Sequence, residues 1–375
     1  LTRAGWRVVC MEILPDEKDS LSKYLENWVG TADLLVLSGG LGPTHDDCTR
    51  EALSSYLGVP LDGADTAYDA IIARYPAEMR LPLEKCRDTQ GSVPRGTRAV
   101  HNPEGSALGI AFEVSGTKVY AFPGVPSEYR AMAEQELAPE LAPVRNGTAS
   151  VLVAGLPESL LKDRLAPVIS RQELHISILP SPGLVEIFMR GNPADVVQAE
   201  ADVRLLVPGD CLPSASRSIE EAVIQGAVHR GLKLACAESC TGGMVGAALT
   251  SVPGSSAVFF GSAVCYSNSA KKSILSVNKA TLNHFGAVSS QCAAEMAEGA
   301  VRVFGTDLAV SVTGIAGPEG GSPEKPVGTV WFGIAGKGRT EAVKKLFSGD
   351  RNGIRNRASM FALFCLWRKV SEAEE

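Results

Sequence analysis

The chain has 375 residues, 45% of them hydrophobic and 21% charged, with a formal net charge of −6. That length exceeds one ordinary hydrophobic core and predicts two or three domains. The acidic balance gives no basic footprint for nucleic acid or an anionic membrane, and no segment reads as a transmembrane span or a signal peptide, so we expect a cytoplasmic protein with neither partner.

Residues 1–145 alternate strand-like and helix-like segments. The opening Leu1–Trp6 reads as the end of a helix. Short apolar runs at 7–10, 34–37 and 119–122 predict buried strands, and helices are expected at 20–28, 49–57 and 127–141, the second stopped by Gly58-Val59-Pro60. Strands alternating with helices predict a doubly wound α/β domain. Residues 146–212 predict a small α+β module, with helices at 158–169 and 193–206 and strands at 176–179 and 185–189. Residues 213–375 return to α/β, with strands at 232–236, 307–313, 330–334 and 342–347. An amphipathic helix is expected at 289–304, and a long closing one at 352–370.

Nine cysteines occur without a CxxC pair, and reduced, buried thiols are expected rather than a disulfide or zinc framework. His45, His101, His175, His229 and His284 form no ligand cluster and leave little for a mechanism that needs a histidine base.

The most informative stretch is Ala237-Glu238-Ser239-Cys240-Thr241-Gly242-Gly243, between the strand at 232–236 and a helix at 244–249. A strand that turns through small residues into a helix gathers a hydroxyl, glycine-permitted backbone and helix N-terminal N–H groups. Many α/β turns share this form. It is followed in order by Gly254-Ser255-Ser256, Tyr266-Ser267-Asn268-Ser269-Ala270-Lys271, Gly286-Ala287-Val288-Ser289, Thr313-Gly314-Ile315-Ala316-Gly317-Pro318 and Gly349-Asp350-Arg351. This ordered set, over about residues 215–370, resembles the C-terminal domain of the CinA (competence/damage-inducible protein A) family, whose members deamidate nicotinamide mononucleotide. The first half resembles that family's molybdopterin-binding-like domain through Ser38-Gly39-Gly40-Leu41-Gly42-Pro43-Thr44, Asp46-Asp47-Cys48-Thr49-Arg50 and Phe122-Pro123-Gly124-Val125-Pro126. There the resemblance implies metal-dependent hydrolysis of ADP-ribose. It also leads us to expect a strand and a Gly-Asp/Thr-Glu loop ahead of Leu1. Arg87 stands where the family usually has asparagine, and Leu108 where it usually has proline.

For the C-terminal domain the resemblance implies a nicotinamide-nucleotide amidohydrolase that needs no cofactor. Carboxamide hydrolysis requires a nucleophile, a base that later protonates ammonia, and oxyanion donors. Ser239 is expected as nucleophile and Lys271 as base, with Tyr266 as proton relay or hydrogen-bond partner. By spacing alone Lys271 is equally a solvated helix lysine, and Cys240 is a rival nucleophile. Substrate contacts are expected from Glu238, Cys240, Thr241, Gly242, Gly243, Gly254, Ser255, Ser256, Asn268, Thr313, Gly314, Gly317 and Arg351. For Glu238, anchoring the turn is an open alternative. In the first domain, Gly39, Gly40, Gly42, Thr44, Asp46, Asp47 and Thr49 could take a nucleotide phosphate, with Asp46 and Asp47 on Mg²⁺ or another divalent cation; helix capping by Thr44 or Asp46 is the alternative. The expected partner is a small nucleotide, and the expected assembly a homodimer. A binding protein that senses a pterin or nucleotide without hydrolysing it is the rival from another class.

Overall fold

Residues 1–2, 6–139, 141, 147–336 and 338–372 are described by a computed structural model in which the chain divides into two units, Leu1–Val144 and Arg145–Glu375. In the first unit β1 (Leu34–Ser38), β2 (Arg98–Val100), β3 (Gly109–Val114) and β4 (Thr117–Phe122) form a sheet of order β1-β4-β3-β2. Only β1 and β4 run parallel; β4–β3 and β3–β2 are antiparallel. The α/β class therefore holds, with a mixed sheet. Two helices, α1 (Lys18–Trp28) and α2 (Thr49–Leu57), contribute Leu25 and Leu53 to a core with Ile110, Val119 and Ala121. Gly58, at φ 67°, closes α2 in the left-handed conformation that glycine adopts without penalty.

The segment 7–10 is not a strand: Val8 and Val9 are half exposed, and among the described residues no neighbour supplies a ladder. An apolar run becomes a strand only when another strand takes its backbone groups. Part of the expected helix end at Leu1–Trp6, residues 3–5, lies outside the described residues. The helix expected at 127–141 is Pro126–Glu136, and residue 140 is likewise outside them.

The second unit begins with β5 (Gly147–Ala154), β6 (His175–Ser181) and β7 (Leu184–Gly191), an antiparallel sheet of order β5-β7-β6. The helix α3 (Pro193–Leu206) covers it through Val196, Ala199 and Val203. The helix expected at 158–169 breaks at Leu165 into Glu158–Arg164 and Ala166–Ile169, because Pro167 has no N–H to donate to Asp163 O and its ring crowds that carbonyl, whereas proline is accepted in the first turn of the second helix.

The remainder is a five-stranded sheet. After α4 (Ile219–Arg230) come β8 (Leu234–Glu238), α5 (Met244–Thr250), β9 (Phe259–Val264), α6 (Asn268–Leu275) and α7 (Ser290–Phe304). They are followed by β10 (Leu308–Gly314), β11 (Thr329–Gly336), β12 (Arg339–Leu346) and α8 (Arg351–Glu372). The sheet order is β9-β8-β10-β11-β12; β9, β8 and β10 are parallel and the last two strands antiparallel. Every residue of the interior strand β8 is buried, as a parallel strand covered on both faces requires. Alternate residues serve opposite faces. Ala235, Ala237 and Ala309 meet α7 through Met296 and Ala300, while Cys236, Val310 and Val312 meet α4, α5 and α8 through Val223, Val245 and Ala362. Among the described residues no helix is long and apolar enough to cross a membrane.

Candidate active site

The parallel register brings the carboxyl ends of β8 and β10 together: Glu238 lies beside Val312, and the N–H of Ser239 donates to Val312 O at 2.9 Å. Ligand sites of α/β sheets form at such strand ends. Across the other neighbour, the chain leaving β9 carries Cys265 and Tyr266 into α6. Ser267 caps α6 by accepting from Ala270 N, and this fixes Lys271 in the first turn.

Lys271 is 1% exposed. Its Nζ lies 2.9 Å from Ser239 Oγ, 2.8 Å from Cys265 O and 3.1 Å from Tyr266 O. Three acceptors around one nitrogen define the chemistry in both protonation states. The ammonium donates to all three. The neutral amine has two N–H bonds for the two carbonyls, and its lone pair is left for the Ser239 hydroxyl, which then donates to Nζ. Burial pushes the Lys271 pKa below its ordinary 10.5, against an opposing pull from the nearby thiols of Cys292, Cys265 and Cys240. The solvated-lysine alternative is thereby excluded.

Glu238 is fully buried. Its carboxylate accepts from the N–H groups of Gly243 at 2.9 Å, Val245 at 3.1 Å and Gly246 at 2.9 Å, and from Ser262 Oγ at 2.8 Å. It binds the N-terminus of α5, where an acidic group is favoured, and so anchors the turn. Gly242 N donates to Ser239 O at 3.1 Å. Among the described residues, the N–H groups of Cys240 and Thr241 are left as the donors of this turn without a partner in another residue. Burial pushes the Cys240 thiol up to about 11, which keeps it protonated near neutrality and weakens it as a rival nucleophile.

Residues 216–370 match the family described as the CinA C-terminal domain, and residues 1–143 match that described as a probable molybdopterin binding domain. A Moorella thermoacetica relative, whose name refers to competence-damage induction, is 37% identical over 384 residues, spanning 99% of this chain and 92% of its own. A CinA-like protein of Akkermansia muciniphila is 36% identical over 371 residues, spanning 97% and 89%. The chain belongs to the CinA family. A crystal structure of the competence/damage inducible protein CihA from Agrobacterium tumefaciens, 43% identical, covers 40% of this chain and 93% of its own at a TM-score of 0.39.

Other expected residues of the CinA C-terminal domain divide by position. Tyr266 is 63% exposed, and its Oη accepts from Arg351 Nη2 at 3.1 Å, while Arg351 Nη1 donates to Gly317 O at 2.6 Å. These three are thus tied to one another beside Lys271. Thr313 and Gly314 end β10 next to Ser239, although Thr313 Oγ1 already donates to Ala287 O at 2.8 Å. Asn268 opens α6 and is exposed. Gly254, Ser255 and Ser256 are not brought to this site. They form a turn before β9 at the amino end of the sheet, where Leu234 N donates to Val258 O. The length of β8 separates them from Ser239, roughly 16 Å at strand rise.

In the first unit, Gly39 and Gly40 have φ of 99° and 66°, and a Cβ on Gly40 would meet Thr49 Oγ1 at 2.3 Å. Thr49 Oγ1 donates to Gly39 O at 2.9 Å, and Asp47 Oδ2 accepts from Thr44 N at 2.9 Å and Thr44 Oγ1 at 2.5 Å. A Cβ on Gly42 would fall 2.5 Å from Asp47 Oδ2. Among the described residues no three metal-binding side chains gather, so Asp46 and Asp47 do not by themselves fit a divalent cation.

Three residues with clear work in the structure were not anticipated. Arg355 donates Nε to Cys240 O and Nη2 to Thr241 O, each at 3.0 Å. Ser262 holds Glu238. Arg50, 3% exposed, donates to the carbonyls of Ser92, Leu41, Gln90 and Leu108, and burial lowers its pKa to about 10. For Arg355 a signal existed: Arg351 and Arg355 lie one turn apart at the start of α8, where the helix dipole disfavours cations. Arg87, the departure from the family's asparagine, bonds Glu84, Asp69 and Asp65 at the surface.

Proposed function

We propose that the C-terminal domain is an amidohydrolase that converts nicotinamide mononucleotide and water to nicotinic acid mononucleotide and ammonia. The 2.9 Å approach of a buried, pKa-lowered lysine amine to the hydroxyl of Ser239 carries this reading. Membership of the CinA family supplies the substrate class.

In its neutral form Lys271 takes the proton of Ser239 as Oγ bonds to the carboxamide carbon and the C=O π pair moves to oxygen. The N–H groups of Cys240 and Thr241, neither of which has a partner in another of the described residues, are the donors available to that oxyanion. Collapse of the intermediate breaks the C–N bond, and the proton held on Nζ passes to the departing nitrogen, which leaves as ammonia. Water then attacks the Ser239 ester with Lys271 again as base; the acid is released and Oγ recovers its proton. The Arg351–Tyr266 pair lies beside this centre and offers a guanidinium to the substrate's phosphate or ribose. No step calls on a metal.

Release of ammonia from nicotinamide mononucleotide by the purified chain tests the reading. Ser239→Ala is expected to lower the rate about 10⁴-fold or more while calorimetry shows nucleotide still bound. Binding with no ammonia release by the unaltered chain would instead make the protein a sensor. In the first unit, we assign the 39–49 loop to contacts with a nucleotide phosphate, on the strength of its two left-handed glycines and the start of α2.

A further inference from the structure

We propose that Arg355 is a positioning residue that sets the oxyanion donor of the nucleophile turn by holding the peptide that carries it. Arg355 projects from the second turn of α8 and is partly buried. Nε donates to Cys240 O and Nη2 to Thr241 O, each at 3.0 Å, across 115 and 114 residues of sequence. A Cβ on Gly242 would stand 3.3 Å from the same Nη2, so the guanidinium lies flat along three successive residues of the turn.

The consequence follows from peptide geometry. The Cys240–Thr241 bond is trans, so its C=O and N–H point in opposite directions in one plane. Anchoring Cys240 O on Arg355 turns the Thr241 N–H away from α8. The next peptide is held at both ends, Thr241 O by Arg355 and Gly242 N by Ser239 O. From below, Glu238 fixes the N–H groups of Gly243, Val245 and Gly246. Between these two clamps the Thr241 N–H has no partner and one orientation, which is what preorganised transition-state stabilisation requires. A planar fork bonds two adjacent carbonyls at once, and a lysine ammonium in its place cannot hold both in that geometry.

This inference rests on Ser239 being a nucleophile, and its test separates the two. The unaltered protein, Arg355→Lys and Arg355→Ala are each assayed for ammonia release from nicotinamide mononucleotide. Phosphonylation of Ser239 by a fluorophosphonate is followed in parallel by mass spectrometry. That probe reports nucleophile and oxyanion donor together without needing the natural substrate. Both variants are expected to lose about 10²–10³-fold in kcat and in labelling rate, the size of one lost oxyanion donor. KM, the melting temperature and the pH at which Lys271 titrates should stay close to those of the unaltered protein. Added guanidinium should restore part of the rate to Arg355→Ala and none to Arg355→Lys, whose side chain fills the space. Normal rates in Arg355→Lys, or a defect confined to KM, would overturn the proposal. So would loss that tracks unfolding and resists guanidinium. If the unaltered protein is labelled at Ser239 yet releases no ammonia, the substrate assignment fails and the labelling rates still decide the role of Arg355. If it is neither labelled nor active, both readings fall together.

Discussion

Two turns in this chain have the same plan and different contents. In each unit a strand with a parallel neighbour ends in glycine-bearing backbone and a helix follows: Ser38 to Thr49 in the first, where only Leu35 of the strand is buried, and Glu238 to Met244 in the second, where every strand residue is. Each is fastened by a buried charge of opposite sign. Arg50 donates to backbone carbonyls, whereas Glu238 accepts backbone N–H groups. In the first turn the side chains are then committed locally, Thr44 to Asp47 and Thr49 to the Gly39 carbonyl. In the second, Glu238 and Arg355 fasten the backbone from two directions; the Ser239 hydroxyl faces an amine and the buried Thr241 hydroxyl has no partner among the described residues. A glycine turn is therefore a scaffold, and its chemistry depends on which polar groups remain uncommitted once the backbone is fastened.

The largest effect that would break this contrast is at Lys271. Lys271→Arg keeps a charge that cannot be shed at accessible pH, and Lys271→Met removes the amine; each should lower deamidation about 10³–10⁴-fold. In the unaltered enzyme log kcat should rise with pH and level off below the ordinary lysine value of 10.5, because burial lowers the pKa. Stability should carry the same signature. Between the lowered folded pKa and 10.5 the unfolded chain holds a proton that the folded chain has shed, so unfolding free energy rises with pH across that window. The stability difference between the unaltered protein and Lys271→Met, measured by denaturant titration at several pH values, should show that slope. An arginine variant with the rate and pH profile of the unaltered enzyme would make Lys271 merely electrostatic.

Glu238 comes next. Glu238→Ala leaves three N–H groups and Ser262 Oγ without their acceptor, and unfolding of the second unit should become easier by about 3 kcal/mol or more. Glu238→Gln keeps one accepting oxygen and should lose about 1–2 kcal/mol. Urea titration separates them; equal, small losses would mean that water replaces the carboxylate and that the turn does not depend on it.

What could be read from the residues was local. The helix at 193–206 was visible from end to end, and α2 from Thr49 to Gly58, because periodicity and caps lie within a few residues. The Ser239, Tyr266 and Lys271 set was visible through ordered motifs. What was hidden depends on distant partners. The 7–10 run has a strand's composition but no ladder, and β3 was overlooked beside β4 although its residues are buried. Arg355 and Arg50 act on carbonyls that folding brings from far along the chain. The Gly254-Ser255-Ser256 motif was expected to contact the substrate, but the parallel course of β9 and β8 puts it at the other end of the sheet from Ser239.

Arg50 sharpens the comparison from the other side. Arg50→Met leaves four carbonyls without their donor, and the first unit should lose about 2–3 kcal/mol. Deamidation measured below the unfolding transition should stay within about twofold. Limited proteolysis reports the first effect and ammonia release the second. A large fall in kcat for this variant would show that the two turns are energetically linked.

The smallest effect is expected at Cys240, where the nucleophile assignment is most exposed to error. A thiol is intrinsically a better nucleophile than a hydroxyl, but only as thiolate. Here burial pushes it up to about 11, and the nearby Lys271 and Arg355 only partly offset that. At pH 7 it is protonated, and the lone pair of Lys271 faces Ser239 Oγ rather than sulfur. The contribution expected of Cys240 is its backbone N–H, which Cys240→Ala retains, and alanine leaves a gap of one sulfur atom. The variant should therefore keep kcat within about threefold, a change worth about 0.6 kcal/mol, and a thiol alkylator should slow the unaltered enzyme no more than it slows the variant. A dead Cys240→Ala beside a live Ser239→Ala would transfer the nucleophile to sulfur, and Lys271 would then have to be understood as the group that ionises it.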